Sequence, residues 1–165
     1  MTTQPFKTRD RLPGKPTVYV AVGLSRCGKS TWANTHRKML NAAIVCGDDV
    51  RRALKTDTYD PALEATVRET VYLATKAMLL RGQNVIVEEV NLTSTKAARA
   101  QWREFNAEGL ANVVWVVFPR PSIEEWQVRC KRAHFSWAII EKQLRIWEKL
   151  DASEVENIVV IDGSK

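Results

Sequence analysis

A chain of 165 residues has the length of one compact domain, and its 25 Lys and Arg against 19 Asp and Glu give a net charge of +6 (25 minus 19). This excess favours a polyanionic partner, although a solvated basic surface would give the same count. Three cysteines without metal-ligand spacing argue against a disulfide framework and a zinc site. We find neither a signal peptide nor a membrane-spanning apolar run, and therefore expect a cytoplasmic protein.

The first 16 residues contain three prolines and several charges. This composition predicts a flexible N-terminal arm over residues 1–16, followed by a single domain over residues 17–165. The run Thr17–Val22 is rich in β-branched and aromatic residues, which predicts a buried strand.

The segment Gly23-Leu24-Ser25-Arg26-Cys27-Gly28-Lys29-Ser30 directly follows this strand and matches the Walker A pattern G-x-x-x-x-G-K-[ST]. Its two glycines let the backbone curl around a phosphate chain, so that the N–H groups of the loop bind the anion. Lys29 would contact the β- and γ-phosphates, and the Ser30 hydroxyl would be a ligand of Mg2+. A tight turn without a ligand is the less favoured alternative. The residues predicted to bind ATP, or another nucleoside triphosphate, are Gly23, Ser25, Gly28, Lys29, Ser30 and Thr31.

The rest of the chain alternates between helices and short apolar strands. Helices are predicted at about 29–40, near 50–54, from about 60 to 81, 93–109, 122–132 and about 137–150. Four further strands are predicted at 42–46, 84–90, 112–118 and 157–161. This alternation predicts an α/β fold of the P-loop NTPase type, in which a five-stranded parallel sheet has helices on both faces and a basic helical lid.

Asp48 follows the second strand at the edge of the sheet where the phosphates would lie. A carboxylate at this edge can accept the proton of an attacking hydroxyl, although Asp48 or Asp49 could equally cap the next helix. Arg51 lies three residues later, on the same helical face, and could hold an anionic group of the acceptor. A solvated arginine is the alternative.

Two carboxylates, Glu88 and Glu89, end the third apolar run, where P-loop enzymes usually place an acid that supports Mg2+. Because side chains alternate along a strand, we expect only one of them to reach the metal, and we favour Glu89. Farther along, Arg129 and Arg132 belong to a cationic cluster at a helix end. An arginine on a closing lid would stabilise the charge of a transferring phosphoryl group, although surface charge would give the same pattern.

Together these segments resemble the 5'-kinase domain of bacteriophage polynucleotide kinases, which act in nucleic acid repair. The likeness covers most of residues 17–150 and rests on Gly23 to Ala33, on Gly47-Asp48-Asp49-Val50-Arg51, on Glu89-Val90-Asn91-Leu92 and on the arginine cluster at 129–132. The resemblance implies that Asp48 is the general base on the 5'-hydroxyl, that Arg51 binds the adjacent phosphate, and that Glu89 is the strand-end carboxylate. It implies that Arg132 is the catalytic lid arginine, with Arg129 as a second candidate that contacts substrate.

The chain departs from the family pattern at two of these positions. Glu89 stands where the family usually has Asp, and Gly47 stands where an Arg often precedes the acid pair. A third departure is that no phosphatase domain accompanies these segments, so we expect the kinase alone. Its implied partner is the 5'-hydroxyl end of DNA or RNA, with no membrane involved.

Two other functions fit the same motifs. The segments around Gly23 and Gly47 also look like adenylylsulfate kinases, although later elements of that family are missing, and gluconate or nucleoside kinases use the same scaffold. A nucleotide-dependent switch that hydrolyses ATP slowly is the second alternative, and it would not need a base at Asp48.

Overall fold

A computed structural model describes residues 14–54, 60–151, 154 and 157–161. Within these ranges, five parallel strands form one sheet in the order β2-β3-β1-β4-β5. Their bounds are β1 Thr17–Val22, β2 Ala42–Cys46, β3 Asn84–Glu88, β4 Asn112–Val117 and β5 Ile158–Val160. The predicted five-stranded parallel sheet is therefore confirmed. Most of the predicted N-terminal arm, residues 1–13, lies outside the described residues.

Helices cover both faces of this sheet. They are α1 Lys29–His36, α2 Gly47–Ala53, α3 Glu64–Leu80, α4 Lys96–Ala107, α5 Ile123–Arg132 and α6 Trp137–Ile146, with a short 3-10 helix at Val90–Leu92. Alternation along β1 sends Val18 and Val20 into a core with α3 and α4, whereas Tyr19 and Ala21 enter a core with α1, α5 and α6. None of the helices in the described part of the chain is long and apolar enough to cross a membrane.

Several boundaries differ from the sequence-based prediction because local turns end the regular elements earlier. Helix α1 stops at His36, and Asn41 then takes a left-handed φ of 46° as the chain turns into β2. Strand β3 ends at Glu88, since the Glu89 side chain caps the 3-10 helix by accepting a hydrogen bond from the Asn91 N–H. That turn delays α4, which is capped by Thr95 and begins at Lys96, and not at the predicted residue 93.

Three neighbouring strands bring the predicted site segments to one edge of the sheet. Strand β1 runs into the Walker A loop, β2 runs into α2, and β3 ends at the two glutamates. Since β3 pairs in parallel with both β1 and β2, the carboxyl ends of all three strands lie side by side. This edge is where ligands bind in sheets of this type.

Candidate active site

Backbone geometry explains both fixed glycines of the loop. A Cβ on Gly23 would come within 2.9 Å of the Phe118 Cβ, so a larger residue would push the loop away from β4. Gly28 has φ 102° at the N-cap of α1, a conformation that residues with a Cβ rarely adopt. The loop therefore enters α1 with its backbone turned around the position expected for the phosphates.

Lys29 is buried at the start of α1, and its Nζ donates a hydrogen bond of 2.7 Å to the Leu24 carbonyl. Burial lowers the pKa of the Lys29 ammonium, while the charges of Glu88, Glu89 and Asp48 act in the opposite direction. The loop lysine and the carboxylates therefore share one electrostatic environment. Ser30 and Thr31 lie next to it in the first turn of α1.

Helices α5 and α6 hold the outer part of the loop. Gln143 of α6 accepts a hydrogen bond from the Ser25 N–H at 3.0 Å and donates one to the Ser25 Oγ at 2.8 Å. The indole N–H of Trp126 donates to the Ser25 carbonyl at 2.9 Å. Gln143 was not predicted, because a lone glutamine on an amphipathic helix gives no signal of contact with a loop 118 residues away.

Of the two candidate lid arginines, Arg129 lies against the loop. Its guanidinium donates to the Arg26 carbonyl at 3.3 Å and pairs with Glu125 one turn earlier on α5. Arg132 is exposed at the end of α5 and makes no ion pair or hydrogen bond with any described residue. The structure therefore brings Arg129, and not Arg132, to the phosphate loop.

Glu88 lies beside the predicted metal ligand Ser30, whose hydroxyl donates to the Glu88 carboxylate at 2.8 Å. Burial raises the pKa of Glu88. A hydroxyl and a carboxylate in contact supply the oxygen ligands that Mg2+ prefers, so the residues present fit this ion. Glu89, which the sequence analysis favoured for the metal, instead contacts Arg51 and the Asn91 N–H. As expected for neighbouring residues at a strand end, the two glutamates have different partners. The residue beside Ser30, however, is Glu88 and not the favoured Glu89.

Arg51 is the centre of a group of carboxylates that we call the Arg51 cluster, formed by Arg51, Asp48, Glu64 and Glu89. Glu64 binds the guanidinium in a two-point contact at 2.8 and 2.7 Å, and Asp48 and Glu89 accept from its Nη1 at 2.9 and 3.1 Å. The bond with Glu64 is the main reason that the pKa of Arg51 is raised and that of Glu64 is lowered. Glu64 was missed because its partner lies 13 residues earlier, outside any helical spacing.

Gly47 leaves space for the Glu89 carboxylate of this cluster. A Cβ at residue 47 would lie 1.6 Å from the Glu89 Oε2, the oxygen that accepts from Arg51. The carboxylate cannot simply move away, because its other oxygen accepts from the Asn91 N–H at 2.9 Å. The two departures from the family pattern noted in the sequence, Gly47 and Glu89, are therefore in contact.

Asp48 is the exposed member of the Arg51 cluster. It lies in the first turn of α2, whose N-cap is Cys46, so the alternative role of Asp48 as the helix cap is wrong. Its side chain is 78% exposed, although Arg51 holds one of its oxygens. The arrangement leaves a fixed carboxylate facing solvent at the edge that carries the phosphate loop.

Comparison with known families gives a match over residues 18–150 to the family described as AAA domain. The chain belongs to this family. The chain has the P-loop kinase fold of this family. This fold implies nucleotide binding. No curated protein is similar enough in sequence to be matched to the chain.

Solved structures with the same fold include kinases for very different acceptors. A chain of the Pnkp1/Rnl/Hen1 RNA repair complex is 25% identical, with a TM-score of 0.68 over 80% of this chain and 44% of that one. The APS kinase CysC of Mycobacterium tuberculosis, in complex with AMPPNP and APS, is 23% identical, with a TM-score of 0.58 over 74% of this chain and 72% of that one. A gluconokinase from Sinorhizobium meliloti 1021 is 19% identical, with a TM-score of 0.62 over 94% of this chain and 86% of that one. The chain thus spans less than half of the length of the RNA repair chain that it matches.

Proposed function

We propose that this AAA domain transfers the γ-phosphate of ATP to the 5'-hydroxyl end of DNA or RNA. The observation that carries the proposal is the exposed Asp48 carboxylate, which Arg51 holds at the sheet edge that also carries Lys29 and the phosphate loop. A switch that only hydrolyses ATP would not need its base at Asp48.

In the proposed reaction, Asp48 accepts the proton of the acceptor hydroxyl while its oxygen forms a bond to the γ-phosphorus. The bond between that phosphorus and the β,γ-bridging oxygen breaks, and the products are a phosphate monoester and ADP. Lys29 and the loop N–H groups bind the phosphates of the donor, and Arg129 offsets negative charge from the side of α5.

Ser30 and Glu88 would hold Mg2+, which supplies positive charge next to the β- and γ-phosphate oxygens when it is bound. We prefer Glu88 to Glu89 for this role because the Ser30 hydroxyl donates its hydrogen bond to Glu88, whereas Glu89 accepts from Arg51 and the Asn91 N–H. For the same reason of proximity to the loop, we prefer Arg129 to Arg132 as the lid arginine.

For Arg51, we propose a positioning role in place of direct contact with the acceptor phosphate. Its guanidinium donates four hydrogen bonds to three carboxylates. A cation so engaged attracts a further anion weakly, because the surrounding carboxylates already neutralise it. Arg51 would instead orient Asp48.

The likeness to a chain of an RNA repair complex supports a nucleic acid acceptor, as does the net charge of +6. The likeness to APS kinase and gluconokinase keeps a small-molecule acceptor as the second candidate. The deciding experiment incubates the chain with γ-labelled ATP and Mg2+ together with a 5'-hydroxyl oligonucleotide, adenylylsulfate or gluconate. We expect label on the oligonucleotide. Label on adenylylsulfate or gluconate alone would contradict the proposal.

A further inference from the structure

A groove of about 680 Å3 lies beside the Arg51 cluster, between α3 and the start of α4. Its lining includes Arg68, Glu69 and Tyr72 of α3, together with Asn91, Ser94 and Gln101. The volume is in the range of sites for small organic ligands. The groove is therefore large enough for a nucleoside unit.

Asn91 connects the groove to the Arg51 cluster. Its Nδ2 donates to the Glu64 carboxylate at 2.9 Å, and Glu64 in turn binds Arg51, which holds Asp48. Three consecutive hydrogen bonds thus lead from the groove to the carboxylate proposed as the general base.

Arg68 supplies the positive charge of the groove. It is exposed on α3, one helical turn after Glu64, and forms no ion pair or hydrogen bond with residues in the described ranges. Its charge reaches the cluster, because it contributes to lowering the pKa of Glu64. Arg51, in contrast, is engaged by three carboxylates. Arg68 is thus better placed than Arg51 to bind an anion.

The remaining lining limits what the groove can accept. Glu69 adds a negative charge next to Arg68, so the groove suits the one phosphate that adjoins the terminal nucleoside, and the later phosphates of a strand would lie outside it. The amides of Asn91 and Gln101 and the ring of Tyr72 suit the polar edges and the flat face of a heterocycle. This chemistry matches a neutral nucleoside that carries one phosphate.

We propose that the groove is the acceptor subsite, in which the terminal nucleoside lies between α3 and α4 and Arg68 binds its 3'-phosphate. This inference rests on the proposed function and deepens it, because it names the group that distinguishes the acceptor from a small sugar. It also assigns the acceptor phosphate to a residue that the sequence analysis did not single out.

The test compares Arg68→Ala with Arg81→Ala, since Arg81 is an exposed arginine about 20 Å away at the other end of α3. The KM is measured for a 5'-hydroxyl oligonucleotide, for a nucleoside 3'-monophosphate, for the same nucleoside without phosphate and for ATP. Loss of a charged hydrogen bond predicts that Arg68→Ala raises the KM of both phosphorylated acceptors about tenfold to a hundredfold. The KM of the plain nucleoside and of ATP should not change, nor should any value in Arg81→Ala.

A second variant tests the opposite direction. Glu69→Gln removes the negative charge beside Arg68, so it should lower the KM of the phosphorylated acceptors. Equal effects of Arg68→Ala on the nucleoside with and without phosphate, or no effect on either, would overturn the subsite while leaving the kinase activity in place. If the wild-type chain neither phosphorylated the oligonucleotide nor bound it in fluorescence anisotropy, the proposed function would fall together with the groove.

Discussion

Two arginines of this protein, Arg51 and Arg99, are largely buried and form ion pairs with carboxylates, but their surroundings differ. Arg51 is 14% exposed and contacts Asp48, Glu64 and Glu89. Arg99 is 1% exposed, pairs with Glu154, and donates its remaining hydrogen bonds to the carbonyls of residues 93, 148 and 149. Both are extensively hydrogen-bonded, but among the described ion-pair partners only Asp48, a partner of Arg51, has a side chain that faces solvent.

Charge balance separates the two centres further. The Arg51 cluster gathers three carboxylates around one guanidinium, whereas the ion pair of Arg99 is with the single carboxylate of Glu154. Unbalanced charge near a cleft is unfavourable for folding and typical of functional sites, while a balanced and enclosed pair connects segments of the chain. Arg99 attaches the segment after α6 to α4. The Arg51 cluster instead presents Asp48 to a ligand.

The largest expected effect is the loss of phosphoryl transfer in Asp48→Asn. It would separate the Arg51 cluster, as a reactive centre, from the Arg99–Glu154 pair. Since the amide cannot accept the acceptor proton, transfer should fall about a hundredfold to ten-thousandfold, with little change in ATP binding or stability. Asp49→Asn is the matched control, because Asp49 occupies the same turn and pairs with exposed Arg52 in the same way. Single-turnover transfer from labelled ATP measures both. Equal losses in the two variants would show that Asp48 acts only through the charge of the turn.

The next effect concerns stability and Arg99. Arg99→Met leaves the Glu154 carboxylate buried without its partner, which should lower the free energy of unfolding by about 3–5 kcal/mol. Transfer per folded molecule should stay close to that of the wild type. Arg103→Met is the control, since Arg103 lies one turn later on α4 and its side chain donates to the Glu154 backbone carbonyl, and not to the Glu154 carboxylate, within the described residues. Chemical denaturation would check both values, and a small loss in Arg99→Met would refute the structural role.

The sequence analysis predicted the sheet and the phosphate loop because local patterns encode them. Alternating and continuous apolar runs marked all five strands, and the Walker A spacing fixed the loop from Gly23 to Ser30. Because Asp48, Arg51 and the two glutamates lie at or just after the ends of predicted strands, they were also expected at one edge of the sheet. Partners far apart in sequence could not be predicted this way. Glu64, Gln143 and Glu154 have no local motif, and their partners are set by how α3, α6 and the last segment pack.

A smaller effect is expected where Gly47 makes room for Glu89. Gly47→Ala places a Cβ against the Glu89 carboxylate and should displace it from Arg51, at a cost of about 1–3 kcal/mol in the free energy of unfolding and with slower transfer. Adding Glu89→Asp, which is shorter by one methylene group, should relieve the clash and restore part of both losses. A double-mutant cycle measures this coupling. Strictly additive losses would mean that the two positions do not act on each other.

The smallest expected effect is on acid stability, and it compares the two centres directly. Hydrogen bonds from Arg51 and from Arg99 lower the pKa of Glu64 and of Glu154, respectively, below their usual 4.5. A carboxyl with a lowered pKa in the folded state stabilises the protein above its unfolded pKa, and this contribution is lost as the pH falls through the folded value. Glu64→Gln and Glu154→Gln should each make the fall in unfolding free energy below about pH 4.5 shallower, by at most about 1.4 kcal/mol per pH unit.

Glu104→Gln, at an exposed position of α4, is the control for the loss of one carboxylate. Activity then separates the two centres, although their acid slopes are alike. Glu64→Gln weakens the contact that orients Arg51, and through it Asp48, so transfer at neutral pH should fall in this variant. Glu154→Gln touches no residue of the Arg51 cluster and should transfer phosphate normally once folded. If both variants lost transfer equally, the division between a reactive and a structural arginine would be wrong.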